Sequence, residues 1–210
     1  MVLKRLVATL LSAAFHPLLL PSYLFYLVCY QLPGVVHYPL PAARGQLMAL
    51  VVLFTFVLPA VGTALLLWTG AVQGNLELRE RQQRPLPLLL AVLCFGGAAL
   101  YLYCIPQAFD ALLRHMMIGM TLAVLLTLLI SLRWKISAHG VGVGGATGLL
   151  ALLYIGGSAT LWWLLGSVAL ALAVVCARLI LHAHTPAQAW VGLGLGLILV
   201  LGFGLGLTLK

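Results

Sequence analysis

Residues 159–181 read ATLWWLLGSVALALAVVCARLIL, and this stretch decides the fold. It holds 23 residues with Arg178 as its one charged side chain. A helix needs about 20 predominantly apolar residues to cross the hydrocarbon core of a bilayer. The apolar residues do not alternate with polar ones, as they would in a strand of a membrane barrel. The stretch therefore predicts a transmembrane α-helix.

Similar apolar stretches fill the rest of the chain. The same rule gives seven candidate spans: 6–32, 46–70, 86–106, 111–132, 140–157, 159–181 and 188–209. The fifth is short and rich in glycine, and only residues 107–110 separate the third from the fourth, so six is the count if one is re-entrant. We expect an all-α, polytopic transmembrane helix bundle of six to seven membrane helices, forming a single integral membrane domain over residues 1–210.

The composition agrees with a membrane protein. Hydrophobic residues make up 64% of the 210 residues and charged residues 7%, whereas a soluble domain is roughly 45–50% apolar and about 25% charged. This excludes a soluble globular protein, a disordered chain and a nucleic-acid-binding domain. The four cysteines lack metal-ligand spacing and are predicted to be buried free thiols: Cys29, Cys94, Cys104 and Cys176.

Glycines recur every four residues in two of the candidate spans. They are Gly140, Gly144 and Gly148 in the fifth, and the pairs Gly192/Gly196 and Gly202/Gly206 in the seventh. Such small faces let membrane helices approach closely. Residues 140–145 also match GxGxxG, but no strand precedes them, so we reject a dinucleotide site.

The basic residues are unevenly placed, and the formal net charge is +8. If all seven candidates span, eight of the 11 basic residues share a membrane face with the N-terminus: Lys4, Arg5, Arg79, Arg81, Arg84, Arg133, Lys135 and Arg178. Ser137, His139, His182 and His184 lie on that same face. Three separate stretches therefore bring cations and imidazoles to one surface.

The first of these stretches, residues 80–87, reads ERQQRPLP. Arg81 and Arg84 precede a predicted helix N-terminus, which favours anions. The alternative is a cytoplasmic loop that obeys the positive-inside rule.

The second stretch, residues 133–140, reads RWKISAHG. Lys135, Ser137 and His139 precede a glycine-rich helix start, where backbone N–H groups can hold a phosphate and an imidazole can transfer a proton. The alternative is an N-cap serine beside an interfacial histidine.

The third stretch, residues 178–188, reads RLILHAHTPAQ. A charge such as Arg178 deep in a bilayer costs about 2.5–3.5 kcal/mol, so it usually has a partner or a ligand. Pro186 should end the helix near His184. The alternative is that Arg178 snorkels to the interface and the histidines lie among headgroups.

Taken in this order, the three stretches resemble the type 2 phosphatidic acid phosphatase (PAP2) superfamily, particularly its compact bacterial membrane branch. The pattern of that superfamily is a basic stretch ending in Arg-Pro, then Pro-Ser-Gly-His, then Arg, five residues, His, three residues and Asp. Arg84-Pro85 matches the first motif, Ser137-Ala138-His139 the second, and the spacing of Arg178 and His184 the third.

The sequence departs from the superfamily pattern at four positions. The first-motif lysine position holds Glu77, and the terminal aspartate position holds Gln188. Ile136 and Ala138 replace the proline and glycine of the second motif. A glutamine carbonyl can still accept the Nδ1–H of His184, but it supplies no negative charge.

The resemblance implies a phosphatase that works without metal or other cofactor. His184 would attack phosphorus and form a phosphohistidine, and His139 would protonate the leaving oxygen. The phosphoryl oxygens would be held by cationic and hydroxyl side chains: Arg84, Arg178, Ser137, and either Arg81 or Lys135. We expect membrane lipids and a phosphorylated lipid substrate as partners, and no nucleic acid.

Three functions remain open. The first is hydrolysis of a lipid phosphomonoester or polyprenyl pyrophosphate in a bacterial inner membrane. The second is a catalytically degenerate protein of this type that binds or transports anionic lipids, which Glu77 and Gln188 favour. The third is a small channel or transporter that uses Arg178. Counting basic residues puts the motif face in the cytoplasm, whereas the resemblance puts it outside.

Two further sites have competing interpretations. His16, beside Pro17, either lies at a kink that offers it to the pocket or is an interfacial histidine. Asp110 and Arg114, four residues apart, are predicted to form a local helix-cap pair.

Overall fold

The structure is a computed structural model that describes residues 2–72 and 80–208, with side chains as far as Phe203. No strand occurs among these residues, and the main elements are nine α-helices. They are α1 (Val2–Ala14), α2 (Leu20–Tyr26), α3 (Arg44–Val52), α4 (Leu58–Trp68), α5 (Pro85–Cys104), α6 (Ala111–Ser131), α7 (Ala138–Ile155), α8 (Leu161–Ile180) and α9 (Pro186–Thr208). A π-helical turn, Leu27–Gln31, follows α2, and another, Leu53–Val57, joins α3 to α4.

Within the described residues, six helical segments are long and apolar enough to cross a membrane. They are Pro41–Trp68, Arg81–Cys104, Ala111–Ser131, Ala138–Ile155, Leu161–Ile180 and Pro186–Phe203. Large apolar side chains on their surfaces are exposed, such as Leu93 (64%) and Ile198 (70%), as expected where lipid surrounds a helix. The predicted all-α, polytopic membrane architecture is confirmed, with the count at six.

The first candidate span, 6–32, is not a single membrane helix. It divides into α1 and α2, with a break at residues 15–19. Pro17 explains the break, because proline has no N–H to donate and disfavours the α conformation at the preceding residue, His16. With 13 residues, α1 is about 20 Å long, too short for a hydrocarbon core of about 30 Å. The glycine-rich fifth candidate, by contrast, is a full helix.

The chain forms two compact units. The terminal unit combines Met1–Leu20 with Lys135–Lys210 and holds α1, α7, α8 and α9. The central unit, Pro21–Trp134, holds α3 to α6. The single integral membrane domain over residues 1–210 stays a prediction.

Glycines bring α7 and α9 into close contact in the terminal unit. A Cβ atom added to Gly140 would lie 2.7 Å from the carbonyl oxygen of Ala189, and one added to Gly192 would lie 2.6 Å from that of Ser137. Cβ atoms added to Gly144 and Gly196 would also overlap carbonyl groups of the facing helix. The predicted glycine faces are therefore confirmed at these positions.

The glycine pattern does not extend along all of α9. Gly148 is tightly packed, with an added Cβ 3.1 Å from the carbonyl oxygen of Leu197, whereas Gly202 has open space for a Cβ. Gly206 lies beyond the described side chains. The close packing thus runs from the N-terminal ends of both helices, near the predicted site residues, as far as Gly148 and Leu197.

In the central unit, Asp110 has a different role from the one predicted. Its carboxylate accepts a hydrogen bond from the backbone N–H of His37 at 2.5 Å and lies 3.8 Å from Nδ1 of that residue. Arg114 meets Asp110 through its backbone N–H, which donates to the Asp110 carbonyl at 3.3 Å. Of the predicted helix-cap pair, the backbone part is present, since Asp110 is the N-cap residue of α6. The Asp110 side chain makes no cap hydrogen bond, because the loop that precedes α3 folds back onto the start of α6 and brings His37 to it.

The four cysteines are free, as predicted, but their burial differs. Cys29 is buried and Cys94 is half-buried, whereas Cys104 and Cys176 are exposed. The predicted burial is wrong for the last two, because an apolar run does not reveal which helix face meets lipid and which meets protein.

Candidate functional site

The terminal unit contains six of the eight predicted site residues. Lys135, Ser137 and His139 lie at or just before the start of α7, Arg178 lies in the last turn of α8, and His184 and Gln188 lie at the start of α9. The backbone N–H of Ser137 donates to the carbonyl of Gln188 at 3.2 Å, so the N-terminal ends of α7 and α9 are joined directly. The glycine contacts between the two helices permit this close approach.

Gln188 contacts His184 as the sequence allowed. Its Oε1 atom lies 3.2 Å from Nδ1 of His184 and also accepts the backbone N–H of Thr185 at 3.2 Å. A carbonyl oxygen can only accept, so Nδ1 of His184 carries the proton in this contact. The lone pair of the neutral ring is then on Nε2.

Gln188 is also part of a helix cap that the sequence analysis missed. The backbone N–H of Gln188 donates to the Thr185 hydroxyl oxygen at 3.4 Å, while the Gln188 side chain returns to the backbone N–H of Thr185. This reciprocal arrangement is a capping box, and its signal, Thr-x-x-Gln, is present at residues 185–188. One amide oxygen thus caps α9 and contacts the histidine.

A cleft of about 580 Å³ lies at the turn between α8 and α9. Lys135, His182, His184, Thr185 and Gln188 supply its polar lining. Among the described residues, Ser137, His139 and Arg178 do not line this cleft. The structure therefore brings Lys135, His184 and Gln188 to one surface and leaves the other three terminal-unit residues outside its lining.

The turn beside the cleft depends on His182. Its φ angle is +51°, in the left-handed region, which a non-glycine residue rarely adopts. The N–H groups of His182 and Ala183 donate to the carbonyls of Leu179 and Arg178 at 3.0 and 3.1 Å. These two bonds form the Schellman motif that ends α8, with histidine in place of the usual glycine.

His139 is nearly buried, with 9% of its surface exposed. Its Nε2 atom lies 3.0 Å from the carbonyl oxygen of Ser12 in α1. The ring of His16 stands nearly perpendicular to it, with the ring centroids 5.4 Å apart and the planes at 85°. Arg178 and His184 also lie near His139.

His16 lies in the break between α1 and α2, outside the six membrane-spanning helices. Its burial, and secondarily the positive charge of Arg178, lower the pKa of His16 from 6.5 to about 4. His16 is therefore neutral at pH 7. The kink places the His16 ring against that of His139, but His16 does not line the cleft, so its presentation to the pocket stays a prediction.

Ser137 caps α7. Its side chain is fully buried, and its hydroxyl oxygen accepts the backbone N–H of Gly140 at 3.2 Å. The N-cap interpretation left open by the sequence is present in the structure. A role for the hydroxyl in binding phosphoryl oxygens stays a prediction.

The remaining two predicted residues, Arg81 and Arg84, belong to the central unit. Exposed Arg81 donates from Nη1 to the carbonyl of Leu132, and buried Arg84 immediately precedes α5. Glu77 lies outside the described residues. The convergence of these two arginines with the histidines stays a prediction.

The chemistry available in the described cleft is that of one lysine cation and two histidines, His182 and His184, of which His184 has its Nδ1 proton held by an amide oxygen. In the described part of the chain, no group of three or more His, Cys, Asp or Glu side chains could hold a metal ion. We found no protein-family model, curated protein or solved structure that matches this chain.

Proposed function

We propose that the protein is a membrane-embedded lipid phosphatase that hydrolyses a lipid phosphomonoester or polyprenyl pyrophosphate through a phosphohistidine. The observation that carries the proposal is the contact between His184 Nδ1 and Gln188 Oε1, in a cleft that Lys135 also lines. This tautomer leaves the Nε2 lone pair as the nucleophile. The motif order shared with the type 2 phosphatidic acid phosphatase superfamily also supports it.

The reaction takes two steps. In the first, Nε2 of His184 attacks phosphorus, the bond to the leaving oxygen breaks, and His139 donates a proton to that oxygen. In the second, water attacks the phosphohistidine, His139 takes up a proton from the water, and His184 leaves as the neutral ring. Lys135 and Arg178 stabilise the charge on the phosphoryl oxygens in both transition states.

The location of the cleft suits a substrate with a phosphate head and a lipid tail. Its volume of about 580 Å³ falls within the roughly 300–1,000 Å³ of small-molecule sites. It lies where the membrane-spanning helices α8 and α9 meet, at the polar end of each. The head can enter the cleft from the surface while the tail stays among lipids.

The test is phosphate release from a short-chain phosphatidic acid by the purified full chain. We expect release by the wild-type protein and none by His184→Ala. A brief reaction with labelled substrate should leave acid-labile, base-stable label on the wild type and none on His184→Ala. His115→Ala is the matched control, because His115 is a histidine of the central unit and takes no part in the proposed site.

His182→Ala separates the two histidines of the cleft. Loss of label in His182→Ala with retention in His184→Ala would assign the nucleophile to His182 and refute the role given to His184. Absence of release and label from the wild type would refute the phosphatase.

A second function, binding or transport of anionic lipids without turnover, is favoured by the neutral amide of Gln188. Losing the orienting acid of a serine-protease triad costs about 10⁴ in rate. This function would be established if the wild-type protein bound phosphatidic acid in vesicles but released no phosphate from it. The substitution Lys135→Gln should then weaken the binding.

A further inference from the structure

The break in the first apolar segment releases a backbone carbonyl. In a continuous α-helix the N–H of His16 would donate to the carbonyl of Ser12. Here the N–H of His16 donates to Ala13 at 3.3 Å, while that of Phe15 donates to Leu11 at 3.0 Å. Pro17 accounts for the change, because it turns His16 away from the helical conformation. The Ser12 carbonyl is left for a partner from another element.

That partner is His139, on α7. Its Nε2 atom lies 3.0 Å from the Ser12 oxygen, and a carbonyl accepts only a protonated nitrogen. The contact therefore places the proton of the neutral ring on Nε2 and the lone pair on Nδ1. A partner that holds the proton on one ring nitrogen leaves the other nitrogen available for proton transfer.

His16 holds the same ring from a second side. Its own Nδ1 accepts the backbone N–H of Leu18 at 3.3 Å, so its proton is on Nε2. The perpendicular contact of the two rings, 5.4 Å between centroids, then restrains the plane of His139. Both restraints come from the broken segment.

We propose that the break between α1 and α2 is a positioning device for His139, in which the Ser12 carbonyl and the His16 ring fix the Nε2–H tautomer and make Nδ1 the proton-transferring atom. The transfer itself rests on the proposed function. In that reaction Nδ1 of the neutral ring takes the proton carried by the bound phosphate monoanion and passes it to the leaving oxygen, while Nε2–H stays bonded to Ser12 throughout. The proton that His139 takes up from water in the second step leaves with the phosphate product. Ser12 and His16 are positioning residues, since they act through His139.

The experiment is histidine-selective ¹⁵N NMR of the full chain in nanodiscs, with two-bond ¹⁵N–¹H correlations that report which ring nitrogen is protonated. The signal of His139 is assigned by its disappearance in His139→Gln. We expect the Nε2–H tautomer for His139 in the wild-type protein without substrate. A wild-type His139 protonated on Nδ1 would overturn the proposal.

Pro17→Ala tests the origin of the restraint. The substitution restores a backbone N–H and removes the bias on His16, so the Ser12 carbonyl can regain its helical partner. We expect the tautomer signal of His139 to become mixed in Pro17→Ala and to stay unchanged in Pro21→Ala. Pro21 is a matched control, because it is the second residue of α2, where a missing N–H has no helical acceptor. An unchanged His139 signal in Pro17→Ala contradicts the proposal.

Phosphate release gives a second readout. General acid catalysis contributes about 10²–10⁴-fold, so we expect Pro17→Ala to lower kcat by at least about tenfold with little change in KM. The phosphatase function and the positioning role can be refuted independently of each other. The expected tautomers with no phosphate release refute the phosphatase alone, whereas release with His139 protonated on Nδ1 refutes the positioning role alone.

Discussion

Replacing Gln188 with glutamate adds a negative charge at the atom that contacts His184, and it should speed phosphate release. Glutamate has nearly the same shape as glutamine, and it fits the capping box with Thr185 equally well. A carboxylate near the start of α9 also interacts favourably with the helix dipole. The substitution therefore changes the charge beside His184 while preserving the local fold.

The distance between Nδ1 and Oε1 sets the size of the effect. Unit charges 3.2 Å apart interact by about 5 kcal/mol at an effective dielectric constant of 20. Each 1.36 kcal/mol is tenfold in rate, so about 10⁴-fold is the upper limit. Only the charge that develops on the ring between ground state and transition state contributes. We expect an increase between about tenfold and that limit.

The assay is phosphate release from short-chain phosphatidic acid by purified Gln188→Glu under saturating substrate. Gln46→Glu is the control, because Gln46 is exposed in the first turn of α3 and gains the same charge near a helix N-terminus without an imidazole. Gln188→Ala, which loses both the cap and the contact, should be slower than wild type. A rate for Gln188→Glu equal to or below that of the wild-type protein, with thermal stability preserved, would refute the orienting role of Gln188.

Three further predictions concern the supports of the site, and each is measured as the free energy of unfolding in mixed detergent micelles. Gly144→Ala should destabilise the protein by about 1–3 kcal/mol, since its Cβ would overlap the Leu193 carbonyl, whereas Gly202→Ala should be within about 0.5 kcal/mol of wild type; equal losses would contradict the packing of α7 on α9. His182→Gly should stabilise the protein by up to about 1 kcal/mol by relieving its left-handed backbone, and a loss of stability would show that the side chain matters more than the turn. Ser137→Ala should lower the free energy of unfolding by about 1 kcal/mol through loss of the α7 cap, and Ser137→Asn should retain most of that stability. An unchanged stability in Ser137→Ala would show that the cap does not stabilise α7.

Local patterns were predictable from the sequence because they depend on neighbours in the chain. Apolar length identified the six membrane helices, although it also counted the broken segment 6–32 as a seventh. The four-residue glycine spacing identified the faces that pack α7 against α9 as far as Gly148 and Gly196. The contact of His184 with Gln188 could also be predicted, because the two residues are four apart in sequence at the start of one helix. The capping box at Thr185 is equally local, because its sequence signal, Thr-x-x-Gln, lies within residues 185–188.

The rest was decided by packing between distant parts of the chain. Pro17 predicts a kink, but nothing in residues 6–32 predicts that the freed carbonyl of Ser12 will contact His139, which is 127 residues away in the sequence. Likewise, Asp110 turned to His37 on a preceding loop in preference to Arg114 on its own helix. The sequence by itself determined that this chain is a helical membrane protein with histidines and cations at helix ends. Only the tertiary structure decided which of those groups touch, because a hydrogen bond needs atoms within about 3 Å, a tolerance that local periodicity cannot specify across separate helices.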